Sequence, residues 1–125
     1  MNKKTILVVD DTPDNLSVLY EILKNDYRVL VANGGEKALQ IIRGGASIDL
    51  VLLDILMPDI DGYQVCSQIR LDKSTKNMPV VFSSAIDEDE QKQKAEGLNV
   101  SGYISKPYRK DKVLDEIARI LSVLG

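Results

Sequence analysis

Five apolar runs of three to five residues, separated by longer stretches of helical spacing, restrict this chain more than any other feature of its sequence. The runs are Ile6 to Val9, Arg28 to Ala32, Leu50 to Leu53, Val80 to Ser83 and Tyr103 to Ser105, and each reads as a short strand. Between them, apolar residues recur every three or four positions: Leu16, Leu19 and Leu23; Ala38, Leu39 and Ile42; Val65, Cys66 and Ile69; then Val113, Ile117, Ile120, Leu121 and Leu124. Thr12 fits an N-cap, with Pro13 at the first helical position where its missing N–H costs nothing, and Gly44-Gly45 ends the second helical stretch. Such β-α alternation forces parallel strands joined by right-handed crossovers. The expected fold is therefore α/β, a single doubly wound five-stranded sheet with five helices covering both faces. At 125 residues the chain suits one domain, residues 1–125, burying roughly two-thirds of its unfolded surface.

The weakest element is "IDEDEQKQKAEGL", residues 86–98, whose apolar face is thin. Glu88 with Lys92 and Glu90 with Lys94 are i,i+4 pairs in the favourable order. They support a marginal, solvated fourth helix, and the charge run reads as its wet face.

Charge and cysteine usage narrow the setting. With 16 basic and 19 acidic residues, net charge −3 and no histidine, there is no basic footprint for nucleic acid or an anionic membrane. Cys66 is the single cysteine, so neither an internal disulfide nor a multi-cysteine metal site can form. The start, "MNKKTILVVDD", has too short an apolar stretch for a signal peptide or a membrane span, so a cytoplasmic location is expected.

In an open parallel sheet, ligands bind beyond the carboxyl ends of the strands, where the winding reverses. The first strand delivers Asp10 and Asp11 to that rim, the third Asp54, the fourth Ser83, Ser84 and Ala85, and the fifth Lys106. Three carboxylates within a few ångströms repel one another and hold at least one proton unless a hard divalent cation sits among them. Mg²⁺ suits such oxygen ligands and keeps positions open for a phosphoryl oxygen. A lysine ammonium, a small hydroxyl and a backbone N–H then complete a site for phosphoryl charge.

The pieces "VVDD" (8–11), "LLDILMPDIDG" (52–62), "PVVFSSA" (79–85) and "YISKP" (103–107) resemble, in order and spacing over nearly the whole chain, the receiver domains of two-component response regulators, which are related to the chemotaxis regulators. Each piece alone is weak, whereas four at the ends of the right strands are specific. The resemblance implies the flavodoxin-like strand order 2-1-3-4-5 and Asp54 as phosphoacceptor. It implies Asp11, Asp54 and the backbone carbonyl of Leu56 as direct Mg²⁺ ligands, with Asp10 acting through water. Lys106, Ser84 and the Ala85 N–H would hold the phosphoryl oxygens, a cis Lys106-Pro107 peptide would aim the lysine, and Tyr103 would be the rotameric switch. The implied partners are a histidine kinase or phosphotransfer protein as donor, and a downstream effector or covalently attached output domain as recipient. The implied role is a phosphorylation-dependent signalling switch changing the surface of the fourth helix, fifth strand and fifth helix. It would promote its own phosphoryl transfer and loss without being an enzyme in the ordinary sense. Two positions the family leaves variable, Leu56 and Ile86, are apolar here, which suggests slow phosphate loss. Where the family usually has glycine after the fourth helix stands Asn99, the next best residue for a left-handed turn.

Other classes fit less well. A haloacid-dehalogenase-like phosphatase needs a second aspartate where Leu56 stands, and "DDTPDN" lacks the hydroxyl- and glycine-rich loop of a flavin site. In "DILMPDIDG" the oxygen spacing of a calcium loop is incomplete, so Met57-Pro58 and Asp61-Gly62 are assigned to turn structure. A receiver fold acting as a protein-binding module without phosphorylation is the alternative function. The sequence leaves open both a stand-alone regulator and a receiver within a larger protein.

Overall fold

The structure is a computed structural model that describes residues 3–85 and 88–124. Its elements run β1 (Thr5–Val9), α1 (Pro13–Leu23), β2 (Arg28–Ala32), α2 (Gly35–Arg43), β3 (Leu50–Asp54), α3 (Gly62–Leu71), β4 (Val80–Ser84), α4 (Glu88–Lys94), β5 (Gly102–Ser105) and α5 (Lys110–Leu124). All strand pairs are parallel, and the sheet order is β2-β1-β3-β4-β5, as the resemblance implied.

The three inner strands are buried along their whole length, which is why they read as unbroken apolar runs, yet their side chains still alternate between faces. Leu7, Val9, Val51, Leu53, Val80 and Phe82 pack with Ala38, Leu39 and Ile42 of α2 and Val65, Cys66 and Ile69 of α3. Ile6, Val8, Leu50, Leu52, Val81 and Ile104 pack with Leu19 and Leu23 of α1 and Val113, Ile117 and Ile120 of α5. Each helix therefore buries the stripe its sequence spacing marked. The side chain of Leu124, like that of Glu88, is outside the described ones.

Local signals explain the helix ends. Pro13 opens α1 after an extended Thr12, although the Thr12 hydroxyl makes no capping bond. Asp61 caps α3 in a reciprocal capping box with Gln64, while Gly45, at φ +88°, turns the chain out of α2. The expected marginal, solvated fourth helix is present: α4 runs from Glu88 to Lys94, within the stretch 86–98 that carried the expectation. Among the described residues of 86–98 only Gln91 and Ala95 are buried, so little packing extends it. Glu90 and Lys94 do pair at 3.5 Å, whereas the expected Glu88–Lys92 pair rests on a side chain outside the described ones. The chain leaves through two left-handed residues, Gly97 and Asn99 at φ +55°, so asparagine does adopt the turn conformation expected of it. Arg70 of α3 ties this exit down by donating to the carbonyls of Leu98 at 2.7 Å and Asn99 at 3.2 Å, and to that of Met78 at 2.7 Å.

Candidate functional site

The rim at the carboxyl ends of β1, β3, β4 and β5 is built by sheet hydrogen bonds that continue past the strands. The Asp10 N–H donates to the Ala32 carbonyl at 3.1 Å, that of Ile55 to Ser83 at 3.3 Å, and that of Lys106 to Ser84 at 3.0 Å. Asp54 and Ser84 are themselves the last residues of their strands, and Asp54 lies in register with Ser83. The backbone at these positions is thus as rigid as the sheet.

Onto this frame the structure brings Asp10, Asp11 and Asp54, each with a carboxylate oxygen within 4.8 Å of the others. Asp10 is fully buried and Asp54 is 2% exposed, while Asp11 faces solvent. The Lys106 ammonium lies 3.1 Å from Asp54 Oδ1 and 3.3 Å from Asp10 Oδ2, and the peptide that follows it, Lys106-Pro107, is cis. Asp10 Oδ1 also accepts the Thr12 N–H at 2.9 Å. Burial, followed by the charge of Asp10, pushes the Asp54 carboxyl up to about 6, although Lys106 pulls the other way. Three clustered hard oxygen donors, one of them on a carboxyl that burial and neighbouring acids push up, fit a hard divalent cation such as Mg²⁺.

Other expected residues are placed as follows. Ser84 is buried at the end of β4, and Ala85 is exposed just beyond it. Leu56 lies in the loop after β3 with its side chain 62% exposed, and Ile86 is outside the described residues. Tyr103 is half-buried, its ring 6.3 Å from that of Phe82, with Lys92 Nζ 6.0 Å from its centroid. Phe82 in turn meets the Tyr63 ring edge-on at 5.3 Å. An aromatic row therefore links the strand beside Ser84 to α3 and β5.

Two side chains near the rim escaped the sequence reading. Tyr108, directly after Pro107, places its hydroxyl 3.0 Å from Ser83 Oγ and 3.5 Å from Asp10 Oδ2. Burial above all, with the charges of Asp10 and Asp54 behind it, holds its phenol far above the ordinary range against a lowering by Ser83. The signal was present as a hydroxylated aromatic immediately after "KP". Asp59, in the loop between β3 and α3, accepts the N–H groups of Glu36 at 2.9 Å and Gly35 at 3.4 Å, so it caps α2 from outside. Those bonds hold its carboxyl below the usual range. No local pattern marks it, because the helix it caps lies earlier in the chain.

Residues 6–118 match the family model of the response regulator receiver domain. The chain belongs to the response regulator receiver family. Its relatives include the chemotaxis protein CheY of Halobacterium salinarum, 31% identical over 120 residues that cover 95% of this chain and 98% of that protein. The response regulator GtcR of Aneurinibacillus migulanus is 38% identical over 122 residues, 97% of this chain but 48% of GtcR. The chain thus spans about half the length, or less, of several relatives it matches. Among solved structures, the N-terminal domain of a response regulator/sensory box/GGDEF three-domain protein from Carboxydothermus hydrogenoformans superposes with a TM-score of 0.84 at 30% identity, covering 97% of this chain and 96% of that one. As a receiver, the chain is a component of two-component signalling, a family in which phosphorylation and Mg²⁺ binding are characteristic. Among the described residues no helix is long and apolar enough to cross a membrane.

Proposed function

We propose that residues 1–125 form a receiver domain in which Asp54 accepts a phosphoryl group from a phosphohistidine of a histidine kinase or phosphotransfer protein. The observation that carries this reading is the convergence of Asp10, Asp11 and Asp54 with the Lys106 ammonium at one strand-end rim. An Asp54 oxygen attacks phosphorus in line, a P–O bond forms as the P–N bond to the donor imidazole breaks, and the imidazole leaves with the bonding pair. Asp11, Asp54 and the Leu56 carbonyl would hold Mg²⁺ directly and Asp10 through water. Bound there, the cation supplies charge neutralisation at the acids and the transferring group. Lys106 takes one phosphoryl oxygen, and Ser84 with the Ala85 N–H takes another. No general base is needed, so a chain without histidine is competent, and it turns over no substrate of its own.

The added charge draws Ser84 and Lys106 toward the phosphoryl group, and Tyr103 packs into the space behind Ser84. The row Tyr63–Phe82–Tyr103 supports this route, because Phe82 precedes Ser84 by two residues on the same strand face. The output surface is then α4, β5 and α5, read by an effector or an attached output domain in the cytoplasm. Neither nucleic acid nor membrane is a partner of this domain.

Incubation with acetyl phosphate and Mg²⁺, followed by a phosphoprotein gel, tests the reading. The parent should be labelled and Asp54→Asn should not. An unlabelled parent would leave a protein-binding module that works without phosphorylation.

A further inference from the structure

Tyr108 and Ser83 reach the rim from the side of α1 and α5, and the proposed function gives neither a task. Asp10 is buried completely, and each of its oxygens has its own partners. Oδ1 accepts the Thr12 N–H at 2.9 Å, whereas Oδ2 faces the Lys106 ammonium at 3.3 Å and the Tyr108 hydroxyl at 3.5 Å. Lys106 is shared, since Asp54 Oδ1 lies 3.1 Å from the same ammonium. A phosphoryl group on Asp54 competes for that ammonium. When Lys106 turns to it, a fully buried carboxylate oxygen loses its charged donor and keeps the Tyr108 hydroxyl beside whatever water a bound cation would supply, and each lost bond to a buried acceptor is costly.

We propose that Tyr108 is a positioning residue that takes over Asp10 Oδ2 as Lys106 leaves it, with Ser83 supplying the second hydroxyl of the relay. The proposal rests on the reading of Asp54 as phosphoacceptor. Tyr108 has a single proton to give, and two oxygens lie within its reach. At rest the Tyr108 hydroxyl makes its shorter bond, 3.0 Å, to Ser83 Oγ; once Lys106 leaves, the Ser83 hydroxyl rotates to donate to the Tyr108 oxygen instead, so that the phenol proton turns to Asp10. An anionic acceptor draws the stronger bond, and the chain Ser83 to Tyr108 to Asp10 uses every hydrogen. The sheet fixes both ends: Ser83 pairs with Asp54 on one side and Ile104 on the other, and Asp10 hangs from the last carbonyl of β2. Tyr108 therefore serves Ser83 while Lys106 covers Asp10, and Asp10 as well once Lys106 has left.

The test uses Tyr108→Phe, which keeps the ring and removes the hydroxyl. Its melting temperature in EDTA should fall only modestly, since the buried Ser83 hydroxyl loses its Tyr108 partner while Lys106 still covers Asp10. Its affinity for beryllofluoride at saturating Mg²⁺, titrated by calorimetry, should fall about tenfold, the usual effect of leaving one buried acceptor unpaired. Ser83→Ala should lose about threefold and add nothing to the phenylalanine variant, because the relay is then already broken. Parent-like beryllofluoride affinity in Tyr108→Phe overturns the proposal. So does a loss in EDTA as large as the loss with beryllofluoride, which would make the hydroxyl merely structural. A parent that responds to neither Mg²⁺ nor beryllofluoride overturns the phosphoacceptor reading, and this proposal with it.

Discussion

Asp54 and Asp59 stand five residues apart in one loop-bounded stretch, and their surroundings drive them in opposite directions. Asp54 is buried beside two further acids and is pushed up to about 6. Asp59 is exposed, accepts two backbone N–H groups at the start of α2, and is held below the usual carboxylate range. At Asp59 the negative charge meets the positive end of a helix and stabilises the fold. At Asp54 it is buried beside other negative charge that Lys106 only partly offsets, which disfavours the charged form until a cation binds. A third acid, Asp61, spends both its geometry and its hydrogen bonds on the start of α3. Chemistry is concentrated where buried negative charge exceeds the one lysine that faces it, and anchoring where charge is matched.

The most disruptive way to break this contrast leaves both carboxylates in place. A methyl group at Gly62 would lie 2.5 Å from the Asp54 carbonyl oxygen and 2.8 Å from the Ile55 Cα, both backbone atoms. Gly62→Ala should therefore cost about 3 kcal/mol in urea unfolding while displacing Asp54. A variant within about 0.5 kcal/mol of the parent would show that α3 does not press on β3.

Next in size is Asp54 itself. Its folded value, about 6, lies above the unfolded value near 3.8, so the folded state binds the extra proton. The associated destabilisation is absent below the unfolded value, grows as pH rises between the two and is complete above pH 6. Asp54→Asn should be more stable than the parent by about 2 kcal/mol at pH 7 in EDTA, since a shift of this size amounts to about 3 kcal/mol at most. The gap should close near pH 4, and Mg²⁺ should stabilise the parent but not the variant. Melts over a pH series measure all three, and a gap that does not depend on pH would mean that the charge on Asp54 is fully offset.

Asp59→Ala should do the reverse at a smaller scale, losing about 1 kcal/mol through the missing cap. That loss should fade as pH falls through the lowered carboxyl value, because a protonated Asp59 accepts the two N–H groups poorly. Labelling by acetyl phosphate should survive. If labelling disappeared along with the cap, anchoring and chemistry would not be separable in this loop.

The smallest effect concerns Leu56, exposed between the two acids. A polar side chain there can hold the water that attacks the phosphorus, so Leu56→Asn should speed phosphate loss about threefold, close to 0.7 kcal/mol in barrier. Decay of the phosphorylated protein after donor removal is the measurement, and an unchanged rate would locate the water's entry elsewhere.

Much of this molecule was legible before any coordinates. The apolar runs gave the strands to within a residue, because burial on both faces requires unbroken apolar sequence. The stripes of Leu19 and Leu23 or of Val113, Ile117 and Ile120 gave the helical faces, and strand ends located Asp10, Asp11, Asp54, Ser84 and Lys106 at one rim. Each of these depends on the chain's local period and on the one rule that parallel strands present the same end. Three other properties do not. Where α4 stops, at Lys94, goes with the left-handed exit through Gly97 and Asn99 that Arg70 of α3 ties down from outside the helix. The grip of Asp59 on α2 joins residues 23 apart, and the approach of Tyr108 to Asp10 joins residues 98 apart. The charge state of Asp54 depends on how deeply the rim closes around it. These were decided by tertiary structure, because burial and long-range contact exist only once the crossovers have folded onto the sheet.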